Sequence, residues 1–109
     1  MRNDERSMSG KYEAQSRIAK ALSHPTRLFL LDQIAEGERC VCELKGLVDA
    51  DLSTVSRHLT ALKEVGLIID RRRGTQVFYR IGSPHAHDVT QLLADMAKEE
   101  AEGRLDSMR

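Results

Sequence analysis

Tryptophan is absent and aromatics make up only 4% of the chain, so the core has to be built from leucine, isoleucine, valine and alanine. No apolar run approaches the ~20 residues that a membrane-spanning helix needs. The opening stretch, MRNDERSMSGKYE, also lacks the apolar stretch of a secretory signal. A membrane partner is excluded, and a soluble cytoplasmic protein is expected. Paired carboxylates, a Ser-His-Asp set, a glycine loop for phosphate and a catalytic metal triad are all missing, which argues against an enzyme. The 109 residues leave room for one domain and little for a substrate pocket. Net charge is missing too, with 17 basic and 17 acidic residues.

That balance hides an asymmetry. Residues 52–81 carry Arg57, Lys63, Arg71, Arg72, Arg73 and Arg80 against only Glu64 and Asp70, whereas residues 82–109 carry three basic and six acidic residues. A basic working surface joined to an acidic, outward-facing last helix fits this separation.

Periodicity supplies the elements. A polar lead over residues 1–9 is expected to be disordered. Ala14, Ile18, Ala21 and Leu22 fit a first helix over 12–22, broken at Ser23-His24-Pro25. Pro25 suits the first turn of a second helix, about 25–36, which Gly37 ends. A short third helix, 41–48, turns Val41, Leu44, Leu47 and Val48 inward. Leu52, Val55, Leu59, Leu62 and Val65 then recur every three or four residues, a narrow buried stripe that stops at Gly66. Leu67-Ile68-Ile69 begins a strand and residues 77–81 make a second, joined through Arg71-Arg72-Arg73-Gly74-Thr75-Gln76. A last helix covers about 84–102, with Val89, Leu92, Leu93, Met96 and Ala97 apolar. The order is α+β and mainly α: a helix-turn-helix followed by a basic hairpin, that is, a winged helix-turn-helix with flanking helices.

The outer face of the 52–65 helix carries Ser53, Thr54, Ser56, Arg57, His58, Thr60 and Lys63. Short hydroxyl side chains let a helix approach base edges closely in a major groove, and Arg57 can reach a guanine bidentately or a phosphate. His58 fits either a phosphate contact or packing on the helix surface. Amides near Ser53 at the helix start would favour a phosphate oxygen. Arg71, Arg72 and Arg73 would lie along the adjacent backbone or enter a minor groove. Double-stranded DNA is the expected partner; a winged-helix interaction module without DNA contact is the alternative, and the arginines weigh against it.

Cys40 and Cys42 are the only cysteines. At this separation a structural disulfide is not expected, since residues at i and i+2 rarely reach bridging geometry and cytosolic thiols stay reduced. Two thiols so close fit soft-metal or redox chemistry, or simply two small buried apolar groups.

Five segments together resemble a known family. They are Leu22-Ser23-His24-Pro25-Thr26-Arg27-Leu28, Glu38-Arg39-Cys40-Val41-Cys42-Glu43-Leu44, Val55-Ser56-Arg57-His58-Leu59, the run from Gly66 to Gly74, and Tyr79-Arg80-Ile81. Over about residues 14–97 they resemble the arsenical-repressor (ArsR/SmtB) family of winged-helix metal sensors. The resemblance implies a homodimeric repressor of an arsenic-resistance operon, with the first and last helices as dimer surface, within a domain spanning 10–102 and followed by a tail at 103–109. It implies release from an operator when As(III) or Sb(III) binds the Cys40 and Cys42 thiolates, with no cofactor required. Another thiophilic ion, or oxidation of the pair, is the alternative signal. In the arsenic-sensing branch a third cysteine follows; here that position is Lys45, leaving the third place to glutathione, water or another protein group. The positions of the zinc-sensing branch read Ser83, His85, Met96 and Glu99, short of two hard ligands, and His85, His87 and Asp88 read as surface groups of a cap. Because i and i+2 project about 200° apart on a helix, ion binding is expected to unwind the start of the third helix.

Overall fold

The computed structural model describes residues 2–107, with side chains described from residue 10 onward. Met1 and residues 108–109, at the ends of the expected lead and tail, lie outside the described residues. In chain order the elements are α1 (Arg2–Ala21), α2 (Pro25–Ala35), β1 (Arg39–Cys40), α3 (Val41–Leu47), α4 (Leu52–Glu64), β2 (Ile68–Arg73), β3 (Gln76–Ile81) and α5 (Ala86–Ser107). α1 takes in residues 2–9 and α5 runs on through 103–107, so neither expected domain boundary coincides with a change of element.

Local chemistry starts and stops the central helices. Pro25 occupies the first turn of α2, and His24 caps it by accepting the Thr26 amide on Nδ1 at 3.1 Å. Asp51 caps α4 through the Thr54 amide at 2.8 Å. Gly66, at φ +79°, ends α4, and the Leu67 amide reaches back to the Leu62 carbonyl at 3.1 Å; a side chain at residue 66 would strain this left-handed turn.

The three strands form one antiparallel sheet in the order β1-β3-β2. Arg73 opposes Gln76, so the hairpin loop is only Gly74-Thr75, and Gly74 supplies its positive φ of +62°. The sequence places Arg71, Arg72 and Arg73 in the connection; the structure places them inside β2. A two-residue turn requires the ladder to continue up to the turn, and charged side chains suit the edge strand of a sheet. β1 was not expected at all: two residues are too few for a periodic signal.

One core joins α2, α3, α4 and the sheet. Leu30, Leu31 and Ile34 pack with Leu44, Val55, Leu59, Leu62, Ile68 and Tyr79, and Ala86 fixes the start of α5. Each fully buried leucine contributes roughly 1.5–3 kcal/mol relative to exposure. Two expected core residues stay outside. Leu47 sits at the end of α3, and Leu52, 55% exposed, opens the first turn of α4 beside a groove. α1 and α5 bury little: residues 11–20 are all exposed, as are Leu92, Leu93 and Met96. The radius of gyration, 16.9 Å, exceeds the ~13 Å of a compact chain of this length.

Candidate nucleic-acid interface and thiol site

The α4 stripe buries Val55, Leu59 and Leu62, which turns Ser53, Ser56, Arg57 and Thr60 to solvent together. Part of this face is already engaged. Ser53 Oγ donates to Asp51 Oδ1 at 2.9 Å, and Arg57 Nη2 donates to Thr54 Oγ1 at 3.3 Å. The Thr54 amide, one of the helix-start amides near Ser53 expected to favour a phosphate oxygen, donates to Asp51. Its hydrogen bonds, the Thr54 amide first, hold the Asp51 carboxyl below the usual carboxylate range. An Asp immediately before Leu52-Ser53-Thr54 is the sequence signal for this cap.

His58 is not part of the exposed face. It lies on the flank of α4 against α2, where Nδ1 accepts from Arg27 Nε at 3.1 Å and the ring sits 4.4 Å from that of His24. Burial, then the charges of His24, Arg27 and Arg57, lower its pKa from 6.5. A depressed histidine pKa stabilises the fold above the unfolded value, and that stability is lost as pH falls through the folded value. The melting temperature should therefore fall on acidification below about 6.5, and His58→Asn should flatten that fall. A His58→Asn protein with the wild-type pH profile would contradict the assignment.

The three wing arginines separate by strand alternation. Arg71 and Arg73 share a face with Phe78 and converge on Glu38, with Nη2 atoms 3.1 Å and 3.3 Å from its carboxylate oxygens. Arg73 also lies over the Phe78 ring at 5.0 Å. Arg72 is on the opposite face, the one that carries Ile68 and Tyr79, and has no ion pair among the described residues. Sequence reasoning missed Glu38 because its partners are more than thirty residues away. Lys63 bridges to Asp70 at 3.1 Å and ties α4 to the wing.

The thiols meet, contrary to expectation. Cys40 and Cys42 form a disulfide, with Cα atoms 5.4 Å apart. The reason is local. Cys40 is not helical but is the extended N-cap of α3, at φ −81° and ψ 160°, while Cys42 is in the first turn. The helical 200° separation therefore does not apply, and the sulfurs come together with α3 intact. The disulfide closes without the unwinding that is expected for an ion bridging the pair. Cys40 Sγ accepts the Glu43 amide at 3.3 Å, and Glu43 Oε1 accepts the Cys40 amide at 3.0 Å, a capping box with a sulfur in place of the usual hydroxyl. Cys40 is 4% exposed and pairs with Phe78 in the sheet; Cys42 is exposed. Among the described residues no group of three or more His, Cys, Asp and Glu is placed to hold a metal ion, and His85, His87 and Asp88 form no such group.

Residues 24–70 match the model of the bacterial regulatory protein family named arsR. The chain is 36% identical over 87 residues to the HTH-type transcriptional regulator MJ1325 of Methanocaldococcus jannaschii, covering 79% of this chain and 98% of that one. The chain belongs to the arsR family. It is thus one of a family of DNA-binding regulatory proteins, not enzymes, and its fold is a winged helix-turn-helix. Its structure superposes on the homodimeric winged helix-turn-helix DNA-binding domain of Mb0332 from Mycobacterium bovis with a TM-score of 0.76, at 35% identity over 84% of each chain. This arsR-family chain is also 44% identical over 69 residues to the arsenical resistance operon repressor of Escherichia coli, covering 62% of itself and 58% of that protein.

Proposed function

We propose that the protein is a homodimeric, cytoplasmic repressor of an arsenic-resistance operon, released from operator DNA when As(III) or Sb(III) binds the reduced Cys40 and Cys42. The observation that carries this is the meeting of the two sulfurs at the junction of β1 and α3. Thiolates are the ligands that soft trivalent ions prefer, and once the bridge is reduced two thiolates held this close can share one ion. The resemblance to the E. coli arsenical repressor supports the choice of ion.

The junction reaches both halves of the DNA-reading unit. Cys40 opposes Phe78, whose other neighbour across β3 is Arg71, so a shift of β1 moves the wing. Cys42 belongs to α3, which packs through Leu44 into the same core as α4. Ser53, Thr54, Ser56 and Arg57 form the base-facing surface, Arg71, Arg72 and Arg73 serve the backbone, and His58 supports α4 from behind. The exposed apolar faces of α1 (Tyr12, Ile18) and α5 (Leu92, Leu93, Met96) form the dimer surface, which places two copies of α4 against an inverted repeat. The test is titration of arsenite against the reduced protein bound to its own upstream duplex. Dose-dependent release supports the proposal; release by zinc with indifference to arsenite overturns it.

A redox signal is favoured by one observation, the bridge between the two sulfurs. A hydroperoxide would oxidise both thiols, taking two electrons and two protons to give water and an alcohol, and the disulfide would replace the ion as the signal. Loss of operator affinity on peroxide treatment, reversed by a phosphine reductant, would support it.

A further inference from the structure

Trivalent arsenic takes three ligands, and the chain supplies two sulfurs from the β1–α3 junction. Cys42 lies on a groove of about 640 Å³ between α3, α4 and the wing. This lies within the roughly 300–1,000 Å³ of small-molecule sites. Cys42, the exposed thiol, lines it, whereas Cys40 is buried and does not, so a third ligand has to arrive from the Cys42 side. Lys45, three residues on and on the same face of α3, lines the groove as well. Its ammonium cannot ligate a metal, and it has no ion pair among the described residues. Leu52, Val77 and Tyr79 give the groove apolar walls, and Ser56 of α4 closes it on the side of the exposed helix face.

We propose that this groove binds a small thiol bearing a carboxylate, whose sulfur completes the arsenic site with Cys40 and Cys42 and whose carboxylate pairs with Lys45. The proposal rests on the arsenic-binding role of the thiol pair. The chemistry is exchange without redox change: arsenous acid loses three As–O bonds and gains three As–S bonds, and the three thiol protons leave with the three hydroxides as water. The occupant touches Leu52 and Ser56 at the start of α4, so filling the groove acts on the same helix that faces DNA.

The experiment compares reduced, full-length protein loaded with arsenite alone, with glutathione (an acidic thiol) and with 2-mercaptoethanol (a neutral one) at matched concentration. X-ray absorption at the arsenic edge counts sulfur and oxygen neighbours, and anisotropy of a labelled upstream duplex gives the arsenite concentration for half-release. The expected result is two sulfurs and one oxygen without added thiol, and three sulfurs with glutathione. Glutathione should lower the half-release point about tenfold more than 2-mercaptoethanol, the scale of one charge-assisted contact. Lys45→Ala should keep the two-sulfur site and erase the difference between the thiols. Lys45→Cys should give three sulfurs with no thiol added. Two sulfurs and one oxygen in the presence of glutathione, or a Lys45→Ala protein that still prefers the acidic thiol, would overturn the groove assignment and leave the two-thiolate site standing. Protein that takes up no arsenic without added thiol would overturn the underlying arsenic site, and this inference with it.

Discussion

Arg57→Ala should lower operator affinity by roughly tenfold to a hundredfold, the ~1–3 kcal/mol of one bidentate base contact, while changing affinity for random duplex far less. Arg57 stands on the exposed face of α4, with one hydrogen bond, to Thr54 at 3.3 Å, and the charge of Asp51 nearby, so it can turn to a base. Arg72→Ala should behave differently. Of Arg71, Arg72 and Arg73 it is the one without an ion pair among the described residues, so it is free to meet a phosphate. Its loss should weaken operator and random DNA alike and make the salt dependence shallower by about one unit of slope. Competition binding on both duplexes across a salt series separates the two. An Arg57→Ala protein that loses affinity equally on both would assign Arg57 to the backbone instead.

Glu38→Gln should tighten DNA binding. The Glu38 carboxylate holds Arg71 and Arg73 at 3.1–3.3 Å, which places a negative group where a phosphate would otherwise draw both side chains. DNA has to compete with it. Neutralising that carboxylate frees both arginines and should raise affinity for any duplex by roughly tenfold at low salt, with a steeper salt slope of about one to two units. Weaker binding by Glu38→Gln would mean that the carboxylate positions the arginines for DNA instead of withholding them.

The local elements were legible in the sequence because each is fixed by residues close together. The 3.6-residue spacing of Val55, Leu59 and Leu62 locates α4 to within a residue, and Pro25 and Gly66 mark real boundaries. Family membership followed from five short segments in one order. What escaped depends on contacts far apart in the chain or on backbone that no period reveals. β1 is two residues long and exists because β3 lies beside it. That strand makes Cys40 extended, and the extended cap brings the sulfurs together; the helical projection, applied to a cysteine that precedes the 41–48 helix, gives the opposite geometry. Glu38 meets Arg71 across the sheet, and His58 meets Arg27 across two helices. From sequence His58 fits a phosphate contact as well as packing and Glu38 has no assigned role, because each partner is visible only after folding. Leu52 fits the apolar period, yet it borders the groove because α4 begins there.

The most direct measurement is operator anisotropy against arsenite concentration for the reduced wild type and Cys42→Ser. Cys42 is exposed and its side chain caps nothing, so Cys42→Ser should fold and bind operator like the wild type. Cys40→Ser is the companion variant. A serine hydroxyl can accept the Glu43 amide as the sulfur does, so its melting temperature should stay close to that of the wild type. The wild type should leave the operator as arsenite rises, and each serine variant should remain bound throughout, because one thiolate cannot share the ion with its neighbour. A Cys42→Ser protein that dissociates at the wild-type arsenite concentration would contradict the two-thiolate switch.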